Sequence, residues 1–264
     1  MDITQLLTHV GEWPGLTLLL THASEWLGVS AFAWILALVP QFKVAPVVFK
    51  YARRDGMIAL FLGASTLLFA VALSTVGMSG TIDRWLPVTG SPSALLHPLV
   101  LAAVSLLPFI AALLTRGQPP LSAGWSSKRL RTGLQTGLTV VLLTIFLRNR
   151  VLDIVGGLKT DEVTYLLFAL GIALCEETIF RGYIQLRLDN WLGGNRGWIA
   201  TALMFAAFRF PGLLAAGGDT NQSLFGLLLI LGESLTAGWL MRKSGHVLAP
   251  ALFRAASIWM GVFI

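Results

Sequence analysis

Glu176 and Glu177 stand side by side in a stretch of chain that is otherwise apolar, and Arg181 follows four residues after the second of them. Three more ionisable residues, Arg209, Glu233 and Arg254, fall inside later apolar stretches. An ionisable group at membrane depth costs about 3 kcal/mol or more, so it is kept chiefly where it is paired or functional. Residues four apart share a helix face, so Glu177 and Arg181 can pair within one helix. Glu176 is turned by about 100° from Glu177, yet both carboxylates can line one wide polar cavity. A carboxylate in such a cavity can act as a general base toward water. The same six groups, three acids and three bases, can also neutralise one another inside a helix bundle.

The elements that position these groups follow from composition. Of 264 residues 55% are hydrophobic and 12% charged, with mean hydropathy +0.75. A soluble domain carries about 25% charged residues, and this chain has too few to cover a water-facing surface. Its apolar residues come in long blocks, as a bilayer solvent requires. Eight such segments run about 16–40, 57–78, 95–115, 134–147, 162–184, 198–216, 224–241 and 247–264. The fold class expected is all-α: a polytopic transmembrane bundle of about eight helices. Glu25 in the first segment puts the start of that span near Trp26. The residues before it, with Trp13, suit a short surface helix.

Charge in the loops alternates. One side is basic throughout: Lys43, Lys50, Arg53 and Arg54, then Arg116, Lys128, Arg129 and Arg131, then Arg187 and Arg196, then Arg242 and Lys243. The other is balanced: Asp83 with Arg84, then Arg148, Arg150 and Lys159 against Asp153, Asp161 and Glu162, then Asp219. This pattern predicts a multi-pass protein of the cell membrane with cytoplasmic basic loops and both termini outside. No Lys or Arg precedes Lys43, so the basic start of a signal peptide is missing and the first span is expected to be retained. The polar stretch 117–133, with Pro119 and Pro120, separates an N-terminal group of spans (1–116) from a C-terminal domain (134–264).

The net charge of +6 is accounted for by these loops, and no motif for nucleic acid accompanies it. Cys175 is the one cysteine, which excludes an intrachain disulfide and suits a small core residue. Histidine and cysteine do not cluster, so no metal and no cofactor are expected.

Glu176-Glu177-Thr178-Ile179-Phe180-Arg181 resembles the EExxxR motif of the CAAX protease and bacteriocin-processing family of glutamate-type intramembrane endopeptidases. The family's second motif, Phe-x-x-x-His, has its counterpart in Phe205 to Arg209. Its third, His-x-x-x-Asn or Asp after a basic glycine-containing turn and a proline, has its counterpart in Arg254 to Ile258. Arg242-Lys243-Ser244-Gly245 and Pro250 supply the lead-in. Order and spacing agree across about 162–264. Both motif histidines are arginine here and the asparagine place is isoleucine. Of the histidines His9, His22, His97 and His246, only the last is near this domain, off the motif register, and it reads as a solvated loop residue.

The resemblance implies a glutamate that activates water against a peptide carbonyl, with histidines holding that water and the developing oxyanion. Arginine can bind an oxyanion but does not readily exchange a proton. Arg209 and Arg254 facing Glu176 and Glu177 would make an ion-pair cluster with weakly basic carboxylates. The expectation is an endopeptidase-like protein with weak or lost hydrolysis. One alternative is a non-catalytic binding or assembly subunit using the old substrate cavity. Another is a small-solute transporter, although no inverted repeat is evident. The partners implied are the bilayer and a hydrophobic or lipid-modified peptide or a partner membrane protein. Each residue also has a plainer role. Arg181 can mark the membrane edge, Glu233 can pair for packing, and Phe205 and Phe208 can be core.

Overall fold

A computed structural model of the chain describes residues 14–39, 42, 44, 47–78, 95–215 and 220–261. The loop charges Lys43, Asp83, Arg84 and Asp219, His9 and Trp13, and both chain ends lie outside the described residues. The described residues are largely helical, and none of them forms a strand. The long helices are α1 (Pro14–Leu38), α2 (Ala52–Met78), α3 (Leu96–Thr115) and α4 (Leu130–Leu147). A short α5 (Val151–Val155) leads into α6 (Thr160–Glu177), which continues through a π-helical stretch (Thr178–Gln185) into α7 (Leu186–Leu192). Then come α8 (Gly194–Ala215), α9 (Thr220–Ser244) and α10 (Leu248–Gly261).

Each of the eight apolar segments is therefore a helix, and the chain is an all-α, multi-pass membrane protein. Among the described residues, six helices are long and apolar enough to cross a membrane. The first and last segments are not among these six. α1 carries His22 and Glu25 in its middle, and α10 has 14 residues. The separate short surface helix expected before Trp26 is corrected: α1 begins at Pro14 and runs unbroken to Leu38, and Glu25 lies mid-helix and fully buried. Many large apolar side chains face outward, among them Phe61, Leu68, Leu107, Leu114, Leu142 and Phe146. Those faces would be unstable in water and suit lipid.

α10 is the central element. It packs against α4, α6 and α9, and most of its residues are buried. A helix buried nearly all round belongs in the middle of a bundle. Its alanines, and the glycines of α4, allow close approach. At Gly137 an added Cβ would come 3.2 Å from both the Leu248 carbonyl oxygen and the Ala249 Cα. Gly133 and Gly137 form a GxxxG pair, the spacing with which membrane helices bring backbones together. The N-terminal helices pack onto this centre. α1 lies on α9 and α4, α2 lies on α8 and α7, and α3 lies on α6.

The loop between α3 and α4 is tied to the site helix. Gly182, in the π-helical stretch, abuts the carbonyl of Ala123, and no side chain fits there. Trp125 Nε1–H donates to Thr178 Oγ1 at 3.2 Å. The Val247 N–H donates to the Gly124 carbonyl at 3.1 Å, joining the loop to the turn before α10. That turn needs Gly245, whose φ is 65°. His246, expected to be solvated, is buried in it and meets Trp125 edge-on with ring centres 5.5 Å apart. Its Nδ1 accepts from the Leu248 N–H at 3.1 Å, at the start of α10.

Burial holds the His246 imidazole below its ordinary value of 6.5. The unfolded chain therefore takes up the proton first as pH falls, and folding stability declines once pH drops below that value. Unfolding midpoints measured between about pH 7 and pH 5.5 should fall more for the native chain than for His246→Asn, which keeps an acceptor but cannot titrate. Equal pH dependence in the two would remove His246 from the account.

Candidate functional site

The π-helical stretch begins immediately after the paired glutamates. Such stretches are rare, and they concentrate where a helix must present side chains irregularly. Glu176 and Glu177 end α6, and Arg181 lies in the first turn of the π-helical stretch; all three are buried. Phe205 and Arg209 come from α8, Glu233 and Ser234 from α9, and Arg254 from α10.

These residues converge. Arg254 Nη1 donates to Glu176 Oε2 at 2.8 Å and to Glu177 Oε1 at 3.1 Å. Its Nε lies 3.7 Å from Glu233 Oε2. Arg209 Nη1 lies 3.2 Å from Glu176 Oε1, and Arg181 Nε lies 3.3 Å from Glu177 Oε2. Three carboxylates and three guanidiniums thus form one neutral set. Arg181 also donates through Nη2 to Ser234 Oγ at 2.9 Å and to the Ser234 carbonyl at 3.2 Å.

The Phe205 ring is a platform for two of the cations. The Arg254 and Arg181 guanidinium carbons lie 4.4 and 4.9 Å from its centre. A desolvated guanidinium gains about 2 kcal/mol from such a ring. Phe180 and Phe208 pack against Phe205 and close the apolar side. Several of the ionic contacts lack hydrogen-bond alignment. Arg181 Nε, Arg254 Nε and Glu177 Oε2 are buried without a hydrogen-bond partner despite lying within ion-pair distance. Coulomb attraction at low dielectric, more than directional bonding, holds these contacts together.

The set has one more open side. The Arg209 side chain is 26% exposed and that of Glu233 is 15% exposed, while Arg254 and both motif glutamates are at 1% or less.

Arg181 is fully buried and pairs with Glu177 within the bundle. Phe205 and Phe208 are core, as their plainer reading had it. Ile258 stands apart from the charges and packs against Tyr165, Trp259 and their apolar neighbours. Cys175 is half-buried.

A second polar set was not foreseen. Arg148, a loop residue by the sequence pattern, turns inward and is buried. Its Nε donates to Glu25 Oε2 at 2.8 Å, and its Nη2 donates to Ser257 Oγ at 2.8 Å. His22 Nδ1 lies 3.2 Å from the same Nη2. Ser257 is three residues after Arg254, so the set is adjacent to the first along α10, and Glu233 lies within electrostatic reach of both His22 and Glu25. The available signal was Glu25, a lone acid in an apolar segment that requires a cation.

A family model described as Rce1-like, type II CAAX prenyl endopeptidase Rce1-like, matches residues 160–260. Among curated proteins and among solved structures nothing matches.

Replacing Arg254 by Met removes the one cation in contact with all three carboxylates. Breaking a buried pair in this way costs about 3–5 kcal/mol. Arg209→Met, partly exposed and facing Glu176 alone, should cost about 1 kcal/mol or less. Unfolding of the detergent-solubilised protein measures the difference; equal losses would contradict this ordering.

Proposed function

We propose that this chain, which belongs through residues 160–260 to the Rce1-like family of type II CAAX prenyl endopeptidases, has lost peptide hydrolysis and acts as a binding or assembly subunit in the membrane. The observation that carries this reading is the position of Arg254 Nη1 between Glu176 and Glu177. A hydrolytic carboxylate needs a free lone pair aimed at a water, and that water needs access to a carbonyl carbon. Here Glu176 gives one oxygen to Arg254 and the other to Arg209. Glu177 gives one oxygen to Arg254 and the other to Arg181. Neither carboxylate has an oxygen left without a cation.

Proton transfer fails for the same reason. A guanidinium stays protonated across the accessible pH range and donates without accepting. Nothing at the two arginine positions can collect the proton of an attacking water and return it to a leaving amine. Arginine could still hold an oxyanion, but there is no nucleophile to generate one.

The arrangement favours recognition instead. A rigid, buried and neutral charge set fixes the relation of α6, α8, α9 and α10. Its more exposed members, Arg209 and Glu233, offer one cation and one anion toward the less buried side. A partner helix or lipid-modified peptide carrying a complementary polar group can pair there without entering hydrolysis.

The test uses the purified full chain with a prenylated CAAX peptide. No cleavage above buffer is expected for the native chain or for Glu176→Gln. Cleavage that Glu176→Gln abolishes would overturn the reading and restore an active endopeptidase. Affinity capture from intact membranes should return a stoichiometric membrane partner, and capture should weaken with Arg209→Gln.

A further inference from the structure

Away from the charge set, at the opposite level of the bundle from α5, a cavity of about 620 Å³ opens among 47–51, the first turns of α2 and the loop after α3. It sits at the membrane edge: the α2 span starts at Ala52 and the antiparallel α3 span ends at Thr115, so both walls are span ends. Its charged lining is Lys50, Arg54 and Arg116 against the single carboxylate of Asp55. Asp55 is buried and already ion-paired to Arg116. Lys50 and Arg54 thus remain in excess, and both are exposed. They lie over the same Tyr51 ring, 5.4 and 4.5 Å from its centre, so both cations are tied to one side chain of the lining.

The uncharged lining is apolar apart from Tyr51, Gln118 and Ser122. Val48 and Leu121, 79% and 45% exposed, line it beside Ile58. Its floor is preformed. The buried Arg187 guanidinium lies 4.7 Å from the Phe49 ring and 3.5 Å from the Tyr183 ring. It also donates to the Ser122 carbonyl at 2.9 Å and to Gln118 Oε1 at 2.5 Å. The extended stretch, the loop and the site helix are thus fixed to one another without a ligand.

We propose that this cavity binds the headgroup phosphate of an anionic phospholipid, with Lys50 and Arg54 as the phosphate contacts and Val48 and Leu121 against the upper acyl chain. Three features specify that ligand. Clustered cations with no free carboxylate call for an anion; guanidinium and ammonium groups in proximity suit phosphate oxygens. Their location at span ends puts them at headgroup depth, where basic pockets between membrane helices take up such lipids. The exposed apolar lining suits a ligand with a tail, which inorganic phosphate lacks.

The experiment compares the full chain in nanodiscs of phosphatidylcholine with and without phosphatidylglycerol, reading the unfolding midpoint and the lipid retained in native mass spectrometry. The native chain should gain several degrees and retain phosphatidylglycerol. The double variant Lys50→Gln, Arg54→Gln should lose most of that shift and that retention. Its midpoint in phosphatidylcholine alone should stay near native, since both side chains are exposed. A shift of equal size in native and variant protein, or no shift at all, would overturn the proposal. Inorganic phosphate added to phosphatidylcholine discs should reproduce little of the effect. If it reproduces all of it, the site is for a free anion and the lipid assignment falls.

Discussion

The arrangement of the C-terminal bundle depends on one guanidinium. Arg254, on the central helix α10, touches carboxylates of α6 and of α9 while fully buried. Without it, Glu176 and Glu177 would be two adjacent buried anions with one cation each, Arg209 and Arg181, and nothing between them. With it, the two form a clamp that fixes α6 against α10. The remaining cations follow from this constraint. Arg209 takes the second oxygen of Glu176, Arg181 takes that of Glu177, and Phe205 stacks beneath both Arg254 and Arg181. Buried ionic sets add little net stability over apolar packing, but they tolerate few alternative registers.

On the reading proposed above, the same pairing lets the fold persist without peptide hydrolysis. In a titrating site, the group opposite the carboxylate alternates between donor and acceptor. A permanent cation ends that alternation and replaces it with structural cohesion. The substitution of arginine at both motif positions keeps charge balance with three glutamates, which two neutral apolar residues would not. On the proposed reading, the polar architecture is kept without its proton chemistry.

The N-terminal helices participate in this architecture. α1 contributes Glu25 and His22 to a second polar set with Arg148 and Ser257, directly along α10 from Arg254. α2 and α3 frame a basic cavity at the membrane edge. The loop 117–129 bonds both to the π-helical stretch and to the turn before α10. Thr178, directly after the paired glutamates, and Val247, in the turn before α10, are thus held through the loop after α3.

Much of this was legible in the chain itself. Long apolar blocks require a bilayer and helices, because backbone groups in lipid must bond within their own segment. The Glu177–Arg181 pair was legible too, since helical spacing alone brings those residues within reach. The arginines at the two motif positions were legible as well, and with them the expectation of weak proton exchange. What the sequence could not decide was every relation between helices. That Arg254 bridges two glutamates, that Arg148 turns inward to Glu25, and that His246 is buried against Trp125 depend on which helices are neighbours and in what rotation. Those relations arise from packing among residues up to 123 positions apart, as for Arg148 and Glu25, and local spacing carries no information about them.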